Sequence, residues 1–82
     1  MKRLTYEEKL QALKDHGYKS LRAFSREINE NVANTRASMI NQRNVSMKVL
    51  VRYANALGGD IILAMTIFAE SEIDNLINGF ND

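Results

Sequence analysis

Val32-Ala33-Asn34-Thr35-Arg36-Ala37-Ser38-Met39-Ile40-Asn41-Gln42-Arg43-Asn44 is the stretch on which the fold turns. Read as a helix, it sends Val32, Ala37 and Ile40 toward a core and leaves Ala33, Asn34, Thr35, Arg36, Ser38 and Met39 outside or at the edge. That outer face holds no acid and little bulk. An ordinary solvent-facing helix mixes Glu with Lys, whose pairing one turn apart supports it. Amide, hydroxyl and guanidinium groups instead hydrogen-bond base edges in a major groove and the phosphates beside it. The segment is expected to be a reading helix. The competing expectation is a plain surface helix of a small bundle.

Upstream, Ser20 is placed to cap a short helix over 21–28, with Leu21, Phe24 and Ile28 on one stripe. Asn29-Glu30-Asn31 breaks the pattern, and asparagine tolerates a left-handed turn better than most residues. A short helix, a tight turn and a polar second helix make a helix-turn-helix.

The segment from Val32 to Arg43, followed by Ser46-Met47-Lys48-Val49-Leu50-Val51-Arg52-Tyr53-Ala54-Asn55-Ala56-Leu57-Gly58, resembles the Cro/repressor helix-turn-helix family, also called Xre. The resemblance covers roughly residues 20 to 60, and its second half is the more specific. The chain departs from the family in three places. The turn reads as longer than the usual Gly-hydrophobic-Ser. Ala33 stands where Ser or Thr usually caps the recognition helix, and Ser25 stands where a small Ala usually packs. The resemblance implies that the loop Arg43-Asn44-Val45 lies over the sugar-phosphate backbone, with Arg43 on a phosphate. The expected DNA-contacting set is Ser20, Arg22, Ala33, Asn34, Thr35, Arg36, Ser38, Met39, Arg43, Asn44 and Ser46.

The chain has 82 residues and 45% hydrophobic content, enough for one domain with one modest core. It has no Cys, so no disulfide or thiolate site, which suits a reducing cytoplasm. The lone His16 lacks ligand partners at metal spacing. The apolar run from Ile61 to Ala69 is too short to span a bilayer, and no signal-peptide core is expected at the N-terminus. Charge is split along the chain. Residues 1–59 carry eleven Lys and Arg against five acids, a net +6, while residues 60–82 carry five acids and no base, a net −5. Such asymmetry points to nucleic acid more strongly than the total of +1 does.

In chain order, Met1-Lys2-Arg3 is a small basic arm that either touches a phosphate or is disordered, and disorder is the expectation. Thr5-Tyr6-Glu7-Glu8 reads as a capping box. Tyr6, Leu10 and Leu13 line the first helix's buried stripe and Gly17 ends it, with His16 beside its last carbonyls. Ser46 caps a fourth helix, whose amide end is also a place for phosphate. Met47, Leu50, Ala54 and Leu57 mark one face of it, and Val49, Tyr53 and Ala56 a second. A helix apolar on two sides is expected at the bundle's centre.

After Gly58-Gly59-Asp60, the run Ile61-Ile62-Leu63-Ala64-Met65-Thr66-Ile67-Phe68 is rich in β-branched residues. As a strand it places Ile61, Leu63, Met65 and Ile67 on one face and Ile62, Ala64, Thr66 and Phe68 on the other. No second strand is found in the chain, so this one is expected to pair antiparallel with its own copy in a two-fold dimer. Antitoxin-type members of the resembling family carry such a strand. A buried helix is the other option, since a short apolar run has no decisive period. Ser71-Glu72-Ile73-Asp74 then starts a last helix with Ile73, Leu76, Ile77 and Phe80 on its apolar face.

The expected fold is mainly α: a small helical bundle containing a helix-turn-helix, one C-terminal β-strand pairing across a dimer, and a short final helix. Residues 1–60 form the DNA-binding part and 61–82 the dimerisation part of one compact unit. No catalytic group, metal or cofactor is expected. The expected function is a sequence-specific transcriptional regulator, repressor-like and cytoplasmic, that binds double-stranded DNA at a palindromic operator as a homodimer. By the resemblance it suits a phage, plasmid or toxin–antitoxin setting. The alternative is an adaptor or antitoxin that grips a partner protein, such as a toxin or another regulator. No membrane is involved in either reading.

Overall fold

The computed structural model describes residues 3–73. Among them the chain forms five helices: α1 (Tyr6–Asp15), α2 (Leu21–Glu27), α3 (Val32–Met39), α4 (Met47–Ala56) and α5 (Ile61–Phe68). A further helical turn occupies residues 70–73. Met1 and Lys2 of the expected basic arm, and Leu76, Ile77 and Phe80 of the expected last helix, lie outside the described residues.

Every one of these five helices begins at a side chain that replaces a missing backbone partner. Thr5 and Glu8 form the capping box of α1, with Glu8 N donating to Thr5 Oγ1 at 3.1 Å and Thr5 N to Glu8 Oε1 at 2.9 Å. Ser20 caps α2 and Ser46 caps α4. Asn31 caps α3, accepting from Ala33 N at 2.7 Å, and Asp60 caps α5, accepting from Leu63 N at 3.0 Å. Asn29 and Asn41 follow α2 and α3 in the left-handed region, with φ of 56° and 59°. At Gly58 and Gly59, where φ is 74° and 84°, the chain swings by 114° from α4 into α5. Only residues without a Cβ take two such conformations in succession readily.

The core is held by an aromatic stack. Phe68 lies against Tyr53 at a centroid distance of 4.1 Å and against Phe24 at 5.3 Å, and Tyr18 meets Phe24 edge-on at 4.9 Å. Each such pair adds about 0.5–1.5 kcal/mol beyond its area burial. Leu13, Leu21, Ile28, Met39, Leu50, Ala54, Leu57, Ala64, Met65, Ile67 and Ala69 complete the interior.

The expected strand at 61–68 is corrected: these residues are α5, and no strand is found among the described residues. Ala64, Met65, Ile67 and Phe68 are buried in the molecule's own core, Leu63 and Thr66 are half-buried, and Ile61 and Ile62 are exposed. The expected seam of paired strands therefore has no element to form it. A helix satisfies its backbone donors and acceptors internally, whereas a lone strand would leave them unpaired. Once Asp60 supplies the cap, a run apolar on every side is what a helix between two layers requires. α4 buries Leu50, Tyr53, Ala54 and Leu57, with Val49 and Ala56 half-buried against the core, while Met47 on its expected core stripe is 70% exposed. α5 is packed on α4 and α3.

A buried ion pair fastens the end of the described chain. Lys9 Nζ lies 2.6 Å from Glu70 Oε1 and also donates to the carbonyl of Met39. Asn41 Nδ2 donates to Glu70 Oε2 at 3.1 Å. Lys9, not Leu10, thus shares the inner face of α1 with Leu13, while Tyr6 and Leu10 are half-buried.

Candidate nucleic-acid interface

The turn Asn29-Glu30-Asn31 decides where α3 starts and so which side chains it shows. Because Asn31 is the cap, α3 buries Thr35, Ser38 and Met39, at spacings of three and four, and these three are at most 1% exposed. Their expected place on the outer face is corrected. Two hydroxyls had read as groups for water or bases, but both are spent internally. Thr35 Oγ1 accepts from Ser25 Oγ at 2.9 Å and donates to the Asn31 carbonyl at 3.2 Å, and Ser38 Oγ donates to the Asn34 carbonyl at 3.1 Å. Ile40, expected in the core, is 43% exposed, and Val32 and Ala37 are half-buried.

What α3 presents outward is Ala33, Asn34 and Arg36, with Ile40 at its end. Asn31 precedes them, and Asn41, Gln42, Asn44 and Ser46 follow in the exposed loop and cap. Ser20 and Arg22 are exposed at the start of α2. Of the expected contacts, Ser20, Arg22, Ala33, Asn34, Arg36, Asn44 and Ser46 are thus accessible. α3 itself carries no acid, and the side chain of Glu30, the acid nearest in sequence, is 9% exposed.

A groove runs beside this face between α1 and the pair α2–α3. Tyr6, Leu10, Leu21 and Val32 form its floor, and Lys14, Lys19, Arg22 and Arg36 stand around it with no acid among the lining residues. Arg36 belongs both to the groove and to the outward face of α3. Lys14 and Lys19 were not picked out from the sequence. The signal available was the cluster of bases across Gly17, which means something only once α1 folds back beside α2.

Beneath α3 lies a polar cluster. Glu30 Oε1 accepts from Tyr53 Oη at 2.6 Å and from Arg43 Nη2 at 2.9 Å. Arg43 Nε donates to Ser38 Oγ at 2.7 Å, and Nη2 also reaches Tyr53 Oη at 3.2 Å. Arg43, expected to reach for phosphate, is a half-buried side chain with three partners inside the protein. Burial raises the Tyr53 phenol above the ordinary tyrosine value, and its hydrogen bond to the Glu30 carboxylate adds to the rise. It therefore remains a neutral donor at any ordinary pH.

Among the described residues, no three His, Cys, Asp or Glu come together as a metal site, and no single helix is long and apolar enough to cross a membrane. No family model, curated protein or solved structure matches the chain.

Proposed function

We propose that the protein is a sequence-specific DNA-binding regulator of the Cro/repressor helix-turn-helix type. The observation that carries the reading is the acid-free outer face of α3. Ala33, Asn34 and Arg36 project from a helix whose other side is locked to the bundle, next to a groove ringed by Lys14, Lys19, Arg22 and Arg36. Asn34 and Arg36 have the amide and guanidinium geometry that pairs with adenine and guanine edges in the major groove. The groove cations, the exposed Ser20 and the amide end at Ser46 suit the flanking phosphates. The turn supports the resemblance. With Asn29 left-handed and Asn31 as the cap, it has the length of the family's Gly-hydrophobic-Ser turn, so Asn31 and not Ala33 takes the capping place.

A homodimer on a palindromic operator belongs to this reading, through a surface other than a strand. Met47, Val51, Ile61 and Ile62 are the exposed large apolar side chains of α4 and α5. The same residues favour the second reading, an adaptor or antitoxin that grips another protein.

Selection of duplexes from a random pool, followed by a salt titration on the winner, tests the proposal. About six neutralised phosphates per dimer give a slope near −5 in log affinity against log salt. No enriched sequence, or a slope near −1, rejects it.

A further inference from the structure

Arg43 occupies the loop after α3, where a free arginine would meet the DNA backbone. Two of its three guanidinium nitrogens bond within the protein instead. Nε donates to Ser38 on α3, and Nη2 bridges Glu30 in the turn and Tyr53 on α4. Glu30, whose side chain is 9% exposed, also accepts a hydrogen bond from the Tyr53 hydroxyl and a longer contact from Thr35 Oγ1 at 3.4 Å. The cluster therefore touches the turn before α3, two residues on its inner face, the loop after it and the helix behind it. Apolar packing alone would let α3 roll or slide by a fraction of a turn. A fork of directed, partly charge-assisted bonds, with the Glu30 carboxylate largely shielded from water, does not.

Resting on the reading of α3 as a DNA-reading helix, we infer that Arg43 and Glu30 are positioning residues that set the angle at which α3 meets DNA, with Tyr53 and Ser38 as their anchors. Arg43 acts on recognition through Ser38 and Glu30, and its charge is balanced inside the protein. This differs from a phosphate contact in what it predicts. Removing an acid near DNA by Glu30→Gln should tighten binding to every duplex if only charge matters. The strut predicts the opposite on the selected duplex, because the fork loses its charged acceptor.

The experiment measures full-length wild type, Glu30→Gln, Arg43→Lys and Tyr53→Phe on the selected duplex and on random duplex, across a salt series. Thermal melts report folding of each. The expected result for Glu30→Gln and Arg43→Lys is a loss of about tenfold or more on the selected duplex, with random-duplex affinity not reduced and the salt slope unchanged. Tyr53→Phe, which removes one hydroxyl and keeps the ring, should shift the same ratio in the same direction by less. It decides the matter if Arg43→Lys fails to fold. The inference is overturned if Arg43→Lys weakens both duplexes alike and Glu30→Gln tightens both, the pattern of a phosphate contact. It is overturned equally if the folded variants keep wild-type discrimination. Should wild type itself select no duplex, the DNA reading and this inference fall together. If wild type selects one and the variants discriminate as well as it does, only the inference falls.

Discussion

At the scale of single residues, α3 shows how one capping position redistributes roles. With Asn31 as the cap, Asn34 and Arg36 face outward while Thr35 between them is fully buried. Asn34→Ala and Arg36→Ala should each cost about 1–3 kcal/mol on the selected operator and much less on random DNA, as read by competition binding. Equal losses on both would move the reading face elsewhere. Tyr53 gives a prediction in pH. Its native pKa is raised by burial and by Glu30, so the folded state keeps the proton longer than the unfolded chain does. That contribution is fully present below the ordinary tyrosine value near 10 and is lost as pH rises through the native value. Tyr18, raised by burial and by Glu27, acts with the same sign. Urea midpoints should fall above pH about 10 in the wild type and fall less steeply in Tyr53→Phe.

At the scale of elements, α5 is the helix whose loss the molecule should tolerate least. Ala64 is fully buried, and its N–H donates to the Asp60 carbonyl at 3.0 Å. Ala64→Pro removes that donor inside the helix and sets the ring against the preceding turn, at about 3 kcal/mol or more. A domain this small holds little stability in reserve, so circular dichroism should show helix lost throughout the chain. A variant that stayed helical and lost only its oligomeric state would be the behaviour of a peripheral seam, and would contradict the burial of Ala64, Ile67 and Phe68 in the core.

At the scale of the whole molecule, the exposed side chains Met47 and Ile62, at 70% and 57%, are the places to ask about a second copy. Sedimentation should show wild type as a dimer, and Met47→Glu with Ile62→Glu should shift it toward monomer while leaving the helical signal intact. Operator affinity should then fall, because a single reading helix covers only a few base pairs. A protein that sediments as a monomer at every concentration removes the homodimer from the reading. Unchanged dimer in the double variant would place the contact on another face.

Local chemistry alone determined much of this protein. Thr5 with Glu8, Ser20, Ser46 and Gly17 announced helix ends because capping needs only a few residues of neighbouring backbone. The stripe of Leu21, Phe24 and Ile28 was readable because spacings of three and four repeat cleanly on one helix face. The charge split and the missing cysteines were equally plain. The tertiary structure decided the rest. Whether 61–68 became strand or helix was settled by what surrounds it, since a run apolar on all sides fits either and only the neighbours α3 and α4 fix which backbone geometry is packed. Thr35 and Ser38 looked like surface groups because a hydroxyl's partner is invisible in sequence. Their burial depends on Ser25 and on Arg43, Glu30 and Tyr53 converging from separate elements. Lys9 was hidden for the same reason. A lysine belongs in the interior only when an acid 61 positions further on folds back to meet it.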